Sequence, residues 1–237
     1  MNLNIGMLKC FTDLNTEGRG RFETLVDVVD SNSDLDIILA PEWYFLHDKN
    51  LLYSRLEFEK LKMRIQEKTK GRDQLLVPGT VSWIDGRNYR NTALVVSNGE
   101  TVLEYSKKRE AGDDDLINRY FHLRKRRLYF GVGQKKGIFN WRGLRVGLEI
   151  CYDHSCKALK NDVSVGDLDL QILVSCGQTF KKDNMVIKEG GLGLSCDGYG
   201  VFCKTYRNVG RKLVEEKKSG MENLDPQISL VRFDVEL

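Results

Sequence analysis

The sequence predicts a layered α/β domain built on mixed sheets. Three observations carry this prediction: a strand–helix–strand opening, a hairpin-rich middle and a return to strand–helix–strand alternation afterwards. Leu3 to Leu8 reads as a first strand. Phe22, Leu25, Val26 and Val29 then fall at i, i+3, i+4 and i+7, the apolar stripe of an amphipathic helix. Ile37-Ile38-Leu39-Ala40 is a continuous apolar run stopped by Pro41, as expected of a strand buried on both faces. Phe58, Leu61 and Ile65 in a charged stretch predict a second helix ending near Gly71.

The middle is dense in strands: Leu75 to Val77, Val81 to Ile84, Ala93 to Val96 and Thr101 to Tyr105. Asp85-Gly86 and Asn98-Gly99 separate some of these runs, and both dipeptides favour tight hairpin turns. Residues 109–129 are polar and give no clear element. Leu144 to Ile150 and Leu170 to Val174 read as further strands, with a short helix expected around 155–161. Residues 183–198 stay ambiguous because the Gly190-Gly191-Leu192-Gly193 run weakens a helix. Tyr199 to Lys204 and Ile228 to Val235 read as closing strands.

Composition bounds the rest. The 237 residues include 41% apolar and 30% charged, with 22 Gly and only 3 Pro, a globular balance that excludes disorder, collagen and coiled coil. No repeat or low-complexity linker interrupts the chain, so a single domain over 1-237 is expected. A core of this length buries roughly 70–75% of the unfolded surface and needs neither disulfide nor metal. Lys and Arg total 37 against 34 Asp and Glu, a net +3, which implies no nucleic-acid partner. No apolar run approaches the ~18 residues of a membrane span. The first residues lack a secretory signal pattern, so a cytoplasmic protein with reduced thiols is expected. The six Cys show no C-x-x-C spacing, and no metal is predicted.

Three reactive side chains stand just past the ends of predicted strands: Glu42 after Ile37–Pro41, Lys107 after Val102–Ser106, and Cys151 after Val146–Ile150. Open α/β sheets place ligands beyond the carboxyl ends of their strands. A thiol, a carboxylate and an amine form a coherent set: the thiolate is a nucleophile, the carboxylate relays protons, and the ammonium stabilises an oxyanion. Taken singly, each also has a plain structural role. A strand-end Cys is commonly a buried small hydrophobe, the Glu a cap, and the Lys part of a charged loop.

The surrounding segments narrow the choice. Asp34-Leu35-Asp36-Ile37-Ile38-Leu39-Ala40-Pro41-Glu42 resembles the "DLVVLPE" segment of the nitrilase, or carbon–nitrogen hydrolase, superfamily. Tyr89-Arg90-Asn91-Thr92-Ala93-Leu94-Val95-Val96, followed by Asn98-Gly99 and Tyr105-Ser106-Lys107, is similar to its stretch leading to the catalytic lysine. Val146-Gly147-Leu148-Glu149-Ile150-Cys151-Tyr152-Asp153 is similar to its "iGv-ICYD" stretch. The three occur in the family's order, and the resemblance runs from the N-terminus to about residue 178.

The resemblance implies a four-layer α-β-β-α sandwich of the nitrilase type with mixed sheets. It also implies a Glu–Lys–Cys triad: Cys151 as nucleophile, Glu42 as general base and Lys107 as oxyanion stabiliser, with the Tyr152 N–H as a second oxyanion donor. It implies no cofactor. The expected substrate is a small amide, with nitrile and carbamoyl compounds open to the same triad, and the expected assembly is a homodimer. A catalytically weak relative kept as a binding module is the alternative. A triad cysteine is expected to alkylate faster than an ordinary thiol of pKa about 8.5.

Some features depart from the family pattern. The further active-site Glu found about eight residues past the family's lysine is matched here by Asp115, inside Asp113-Asp114-Asp115, with Glu110 the nearest Glu. His154-Ser155-Cys156-Lys157 replaces the usual "RFPE". His154 is therefore expected to contact substrate or cap a helix. A Cys–His dyad would need the imidazole within about 2.6–3.2 Å of sulfur, which neighbours this close in sequence rarely achieve. Ser175 matches the serine of the family's "PSAW". Cys196 to Phe202 stands for its helix-to-strand passage, and the hairpin and tail beyond are expected to be truncated. Arg124-Lys125-Arg126-Arg127 reads as a solvated loop or as a basic rim drawing an acidic substrate.

Overall fold

The computed structural model describes residues 1–12, 20–46, 52–112, 128–178, 180–199, 202–224 and 227–237. Asp115 and the basic run at 124–127 lie outside the described residues. The chain opens with β1 (Asn2–Cys10), α1 (Arg21–Ser31), β2 (Ile37–Ala40), β3 (Tyr53–Ser54) and α2 (Arg55–Thr69). The hairpin-rich middle follows as β4 (Leu75–Pro78), β5 (Thr80–Asp85), β6 (Asn88–Ser97), β7 (Glu100–Ser106) and β8 (Tyr129–Phe130). Then come β9 (Ile138–Trp141), β10 (Leu144–Ile150), the short helices α3 (Tyr152–Ser155) and α4 (Ala158–Asp162), and β11 (Leu168–Ser175). A 3₁₀ turn at Lys182–Asn184 leads into β12 (Ile187–Asp197), β13 (Phe202–Val209), β14 (Lys212–Glu215), β15 (Gly220–Asn223) and β16 (Ile228–Glu236).

The strands form two mixed sheets. The first runs β15-β16-β1-β2-β4-β6-β5-β3, with β7 and β8 also paired to β6. The second runs β14-β13-β12-β11-β10-β9. Parallel pairing joins β1, β2 and β4 in the first sheet and β10, β11 and β12 in the second. Period-2 alternation aims one face of each sheet at the other. Leu3, Ile5, Met7, Ile37, Leu39, Leu75 and Val77 of the first sheet meet Val146, Leu148, Ile150, Leu170, Ile172 and Val174 of the second in one core. On the outer face of the first sheet, Ile38, Ala40, Leu76, Leu94 and Val96 pack under Leu25, Val28 and Val29 of α1 and Phe58, Leu61 and Ile65 of α2. A smaller cluster of Leu159, Val163, Leu168, Met185, Val186 and Ile187 covers the outer face of the second. Four layers result, α-β-β-α.

Local chemistry explains the boundaries. Ser54 caps α2 in a reciprocal box: its hydroxyl accepts from the Glu57 N–H, and the Glu57 carboxylate accepts from the Ser54 N–H. Asn98 and Gly99 turn the β6–β7 hairpin with φ of 51° and 77°, as a type I′ turn requires. The ambiguous region 183–198 resolves as a 3₁₀ turn and the strand β12, with no α-helix among its described residues. Its glycines serve close approach, since a Cβ on Gly193 would sit 2.6 Å from the Met185 methyl. The late hairpin, expected to be truncated, is present and short: β13 and β14 pair antiparallel from Tyr206–Glu215 to Val209–Lys212.

Candidate active site

Glu42 lies two residues past β2, in a loop held at several of its backbone groups. Its carbonyl accepts from the Thr12 hydroxyl at 2.7 Å, and the Trp43 N–H donates to Thr80 Oγ1 at 2.9 Å. The buried Arg21 guanidinium donates to the Trp43 and Tyr44 carbonyls at 3.2 and 2.8 Å, and the Tyr44 hydroxyl returns a bond to the Arg21 carbonyl. Gly79, at φ 74°, lets this loop close down. A Cβ there would lie 2.1 Å from the Pro41 carbonyl oxygen.

Lys107 follows β7. Its N–H donates to the Asn91 carbonyl at 2.8 Å, and its own carbonyl accepts from the Gly133 N–H at 3.0 Å. Gly133 is required for that approach, since a Cβ would fall 1.8 Å from the Ser106 carbonyl oxygen. The Lys107 ammonium donates to Glu42 Oε1 at 2.9 Å, with both side chains 1% exposed. The Asn91 amide donates to the same oxygen at 2.8 Å. A buried charge pair of this kind persists only with close geometry and added hydrogen bonds.

Cys151 sits where β10 turns into α3, held by its N–H to the Val174 carbonyl at 2.9 Å. Its backbone, φ 46° and ψ −109°, lies outside the regions ordinary L residues favour. Such strain is typical of a side chain presented at a sharp strand-to-helix turn. The thiol is 7% exposed, with its sulfur 3.8 Å from the Cys176 carbonyl oxygen. Burial pushes this thiol well above its usual value. The Glu42 carboxylate adds to the rise, while the Lys107 ammonium and the bond to Cys176 oppose it. The resting sulfur is thus a thiol beside a carboxylate, not a preformed thiolate. A thiol in that state reacts at neutral pH as its proton is handed to a neighbouring base.

The turn after Cys151 is anchored residue by residue. The Tyr152 side chain is 42% exposed. Asp153 is fully buried, accepting from the Tyr105 hydroxyl at 2.7 Å and from the Lys108 and Arg109 N–H groups at 3.0 and 2.8 Å. Burial lifts its carboxyl to about 6 despite these donors. His154 is also fully buried. Its Nδ1 lies 2.7 Å from Glu149 Oε2, and its Nε2 accepts from the Lys181 N–H at 2.9 Å, which puts the ring proton on Nδ1. Both ring nitrogens are committed away from sulfur, so His154 forms no dyad with Cys151 and supports the turn. Ser155 donates to the Gln178 side chain at 2.6 Å. Ser175 is buried, its hydroxyl 2.7 Å from Asp197 Oδ2 and 2.8 Å from the Gln178 carbonyl, shaping the 175–178 turn beside Cys151.

The structure thus brings Glu42, Lys107 and Cys151 together from three separate strand ends, with Ser175 and His154 in support. Asn91, Asp153 and the Glu149–Gln171 pair also belong to the site's surroundings, although the sequence does not single them out. All are polar residues inside apolar strands or directly after Cys151, and that placement was the available signal. Among the described residues, no cluster of His, Cys, Asp or Glu is arranged to hold a metal.

No family model and no curated protein matches this chain by sequence. Solved structures do match. The amidase from Nesterenkonia sp. AN1 superposes with a TM-score of 0.68 at 14% identity, over 99% of this chain and 93% of that one. A cysteine-to-alanine variant of that amidase in complex with butyramide gives 0.67 at 14% identity, over 98% and 90%. A glutamate-to-glutamine variant, showing Michael addition of acrylamide at the active-site cysteine, gives 0.68 at 14% over 99% and 93%. The fold of this chain is that of these amidases, which are described as nitrilase-superfamily proteins.

Proposed function

We propose that this chain is a carbon–nitrogen hydrolase of the nitrilase superfamily, an amidase that releases ammonia from a small carboxamide through a thioester on Cys151. The observation that carries the reading is the buried Lys107–Glu42 pair, 2.9 Å apart, acting on the sulfur of a strained strand-end cysteine. Cys151 Sγ adds to the carbonyl carbon while its proton passes to Glu42. The developing oxyanion is met by the Lys107 ammonium and the Tyr152 N–H. Glu42 returns the proton to nitrogen, the C–N bond breaks and ammonia leaves. A water then gives a proton to Glu42 and attacks the thioester, so the carboxylic acid departs and Cys151 regains its hydrogen. Every bond and proton in this cycle is accounted for by the three side chains, the amide and one water.

The same reading includes a cytoplasmic homodimer that engages a small molecule and no nucleic acid. Butyramide, the ligand of the similar Nesterenkonia protein, is the first compound to test, followed by other short amides, nitriles and carbamoyl compounds. Saturable ammonia release by the wild type is expected to fall by about 10³-fold or more in Cys151→Ala. Acid-quenched wild type is expected to carry the acyl group on the Cys151 peptide by mass mapping. Full turnover in Cys151→Ala would overturn the mechanism. Tight binding without turnover across the panel would favour a binding module.

A further inference from the structure

We propose that Asp153 is a positioning residue that fixes Lys107 against Cys151. Its carboxylate stands two residues past the nucleophile and holds a side-chain hydroxyl before the lysine and two backbone N–H groups after it. The Tyr105 hydroxyl, two residues before Lys107, donates to Oδ2 at 2.7 Å. The Lys108 N–H reaches both carboxylate oxygens at 3.0 Å, and the Arg109 N–H reaches Oδ1 at 2.8 Å. Tyr105 and Asp153 are both buried, so no water replaces the bond between them. Lys107 and Glu42 ride on the first sheet and Cys151 on the second. Asp153 is the side chain that ties the end of β7 directly to the turn carrying the sulfur.

The charged surroundings are defined. The Lys107 ammonium acts on Asp153, and Glu149 and Asp162 act with Asp153 on Tyr105. Lys108 Nζ is taken up by Asp162 at 2.6 Å. In Asp153→Asn the amide NH2 would face either the Lys108 and Arg109 N–H groups or the Tyr105 hydroxyl, leaving at least one of these donors unmet. The loop bearing Lys107 then drifts from the sulfur.

The proposal rests on the hydrolase reading for its kinetic readout but not for its chemical one. The chemical readout is the pH midpoint of Cys151 alkylation by iodoacetamide, followed by peptide mass mapping. Lys107 holds the thiol down, so its displacement raises that midpoint, by about one unit or more. Loss of a neighbouring negative charge alone would lower it. The sign therefore separates positioning from simple charge removal. In Lys107→Ala, adding Asp153→Asn is expected to change the midpoint no further, because Asp153 acts through the lysine. On an amide substrate, Asp153→Asn is expected to lower kcat about 10²-fold with KM within about threefold. Tyr105→Phe, which keeps both backbone bonds and the ring's volume, is expected to give a smaller shift of the same sign and a kcat about three- to tenfold lower. Should Asp153→Asn fail to fold, Tyr105→Phe decides the sign. An unchanged or lowered midpoint, or an equal effect of Asp153→Asn in the Lys107→Ala background, overturns the proposal. A raised midpoint without ammonia release from any amide, nitrile or carbamoyl compound of the panel would sink the hydrolase reading and leave the positioning role standing.

Discussion

The two outer faces of the sandwich are covered in opposite ways. On the first sheet, α1 and α2 lay Leu25, Val28, Val29, Phe58, Leu61 and Ile65 across apolar strand residues. On the second, two short helices and a 3₁₀ turn cover strands whose outward positions include Gly147, Glu149 and Gln171. Gly147 lets α4 approach, since a Cβ there would meet Leu159 at 2.6 Å. Glu149 and Gln171 are buried and fully hydrogen-bonded. Apolar contact is strong but non-directional, whereas hydrogen bonds fix orientation. The helical flank therefore supplies stability, and the flank behind Cys151 supplies aim.

The sharpest way to break that division is at the point where the sheets exchange chemistry. Lys107→Met removes the ammonium from beside a carboxylate that is itself buried, at a cost of about 3–5 kcal/mol. Turnover is expected to fall about 10³-fold or more with it. Adding Glu42→Gln removes the stranded charge and recovers most of the stability while activity stays lost. Guanidinium unfolding beside an ammonia assay checks both. Stability and turnover recovering together would mean the pair is structural only.

The helical flank provides the contrast. Phe58 is fully buried and its ring stacks on Trp83 at 4.7 Å between centroids. Phe58→Ala is expected to cost about 3–5 kcal/mol, yet leave kcat of the folded protein near that of wild type. A tenfold loss of kcat at full folding would show that this flank also sets the geometry of the site.

Asp153 gives the aiming flank a pH signature. Its carboxyl stands at about 6 when folded, against about 3.9 unfolded. The folded state therefore binds the extra proton between these values. The contribution is fully present below about pH 4 and is lost as pH rises toward 6, by about 3 kcal/mol in all. The difference in unfolding free energy between wild type and Asp153→Asn is expected to change over that window and to level off above it. A pH-independent difference would mean the carboxyl does not titrate there.

The same contrast marks what was legible in the sequence. Ile37–Ala40 and Leu144–Ile150 declare themselves as strands because burial of their apolar residues follows directly from local pattern. Asn98-Gly99 declares its turn because only such residues accept positive φ cheaply. Glu42, Lys107 and Cys151 were legible because strand ends and neighbouring segments marked them. β12 was not, because its glycines lower local strand preference while β11 and β13, pairing on both sides, override it. Asn91, Glu149 and Asp153 were not, because a polar side chain gives no local sign of whether distant partners will meet it. The aiming flank is written in tertiary hydrogen bonds, and those are what one sequence conceals.

Glu149 shows how tightly that aim is specified. Its Oε1 accepts from the Leu159 N–H at 2.9 Å, and its Oε2 takes His154 Nδ1 at 2.7 Å and Gln171 Nε2 at 2.9 Å. Neither partner is free to adapt: His154 Nε2 is held by the Lys181 N–H, and Gln171 Oε1 by the Val186 N–H at 2.9 Å. In Glu149→Gln the new amide therefore faces a donor whichever way it turns, and one buried group is left unmet. The expected cost is about 1–3 kcal/mol, smaller than for Phe58→Ala. It should also be differently distributed, with faster hydrogen exchange at Leu159, Lys181 and Val186 and little change along α2. Phe58→Ala should show the reverse. Exchange rising uniformly in both variants would mean that the two flanks open as one unit, and the division between stability and aim would fail.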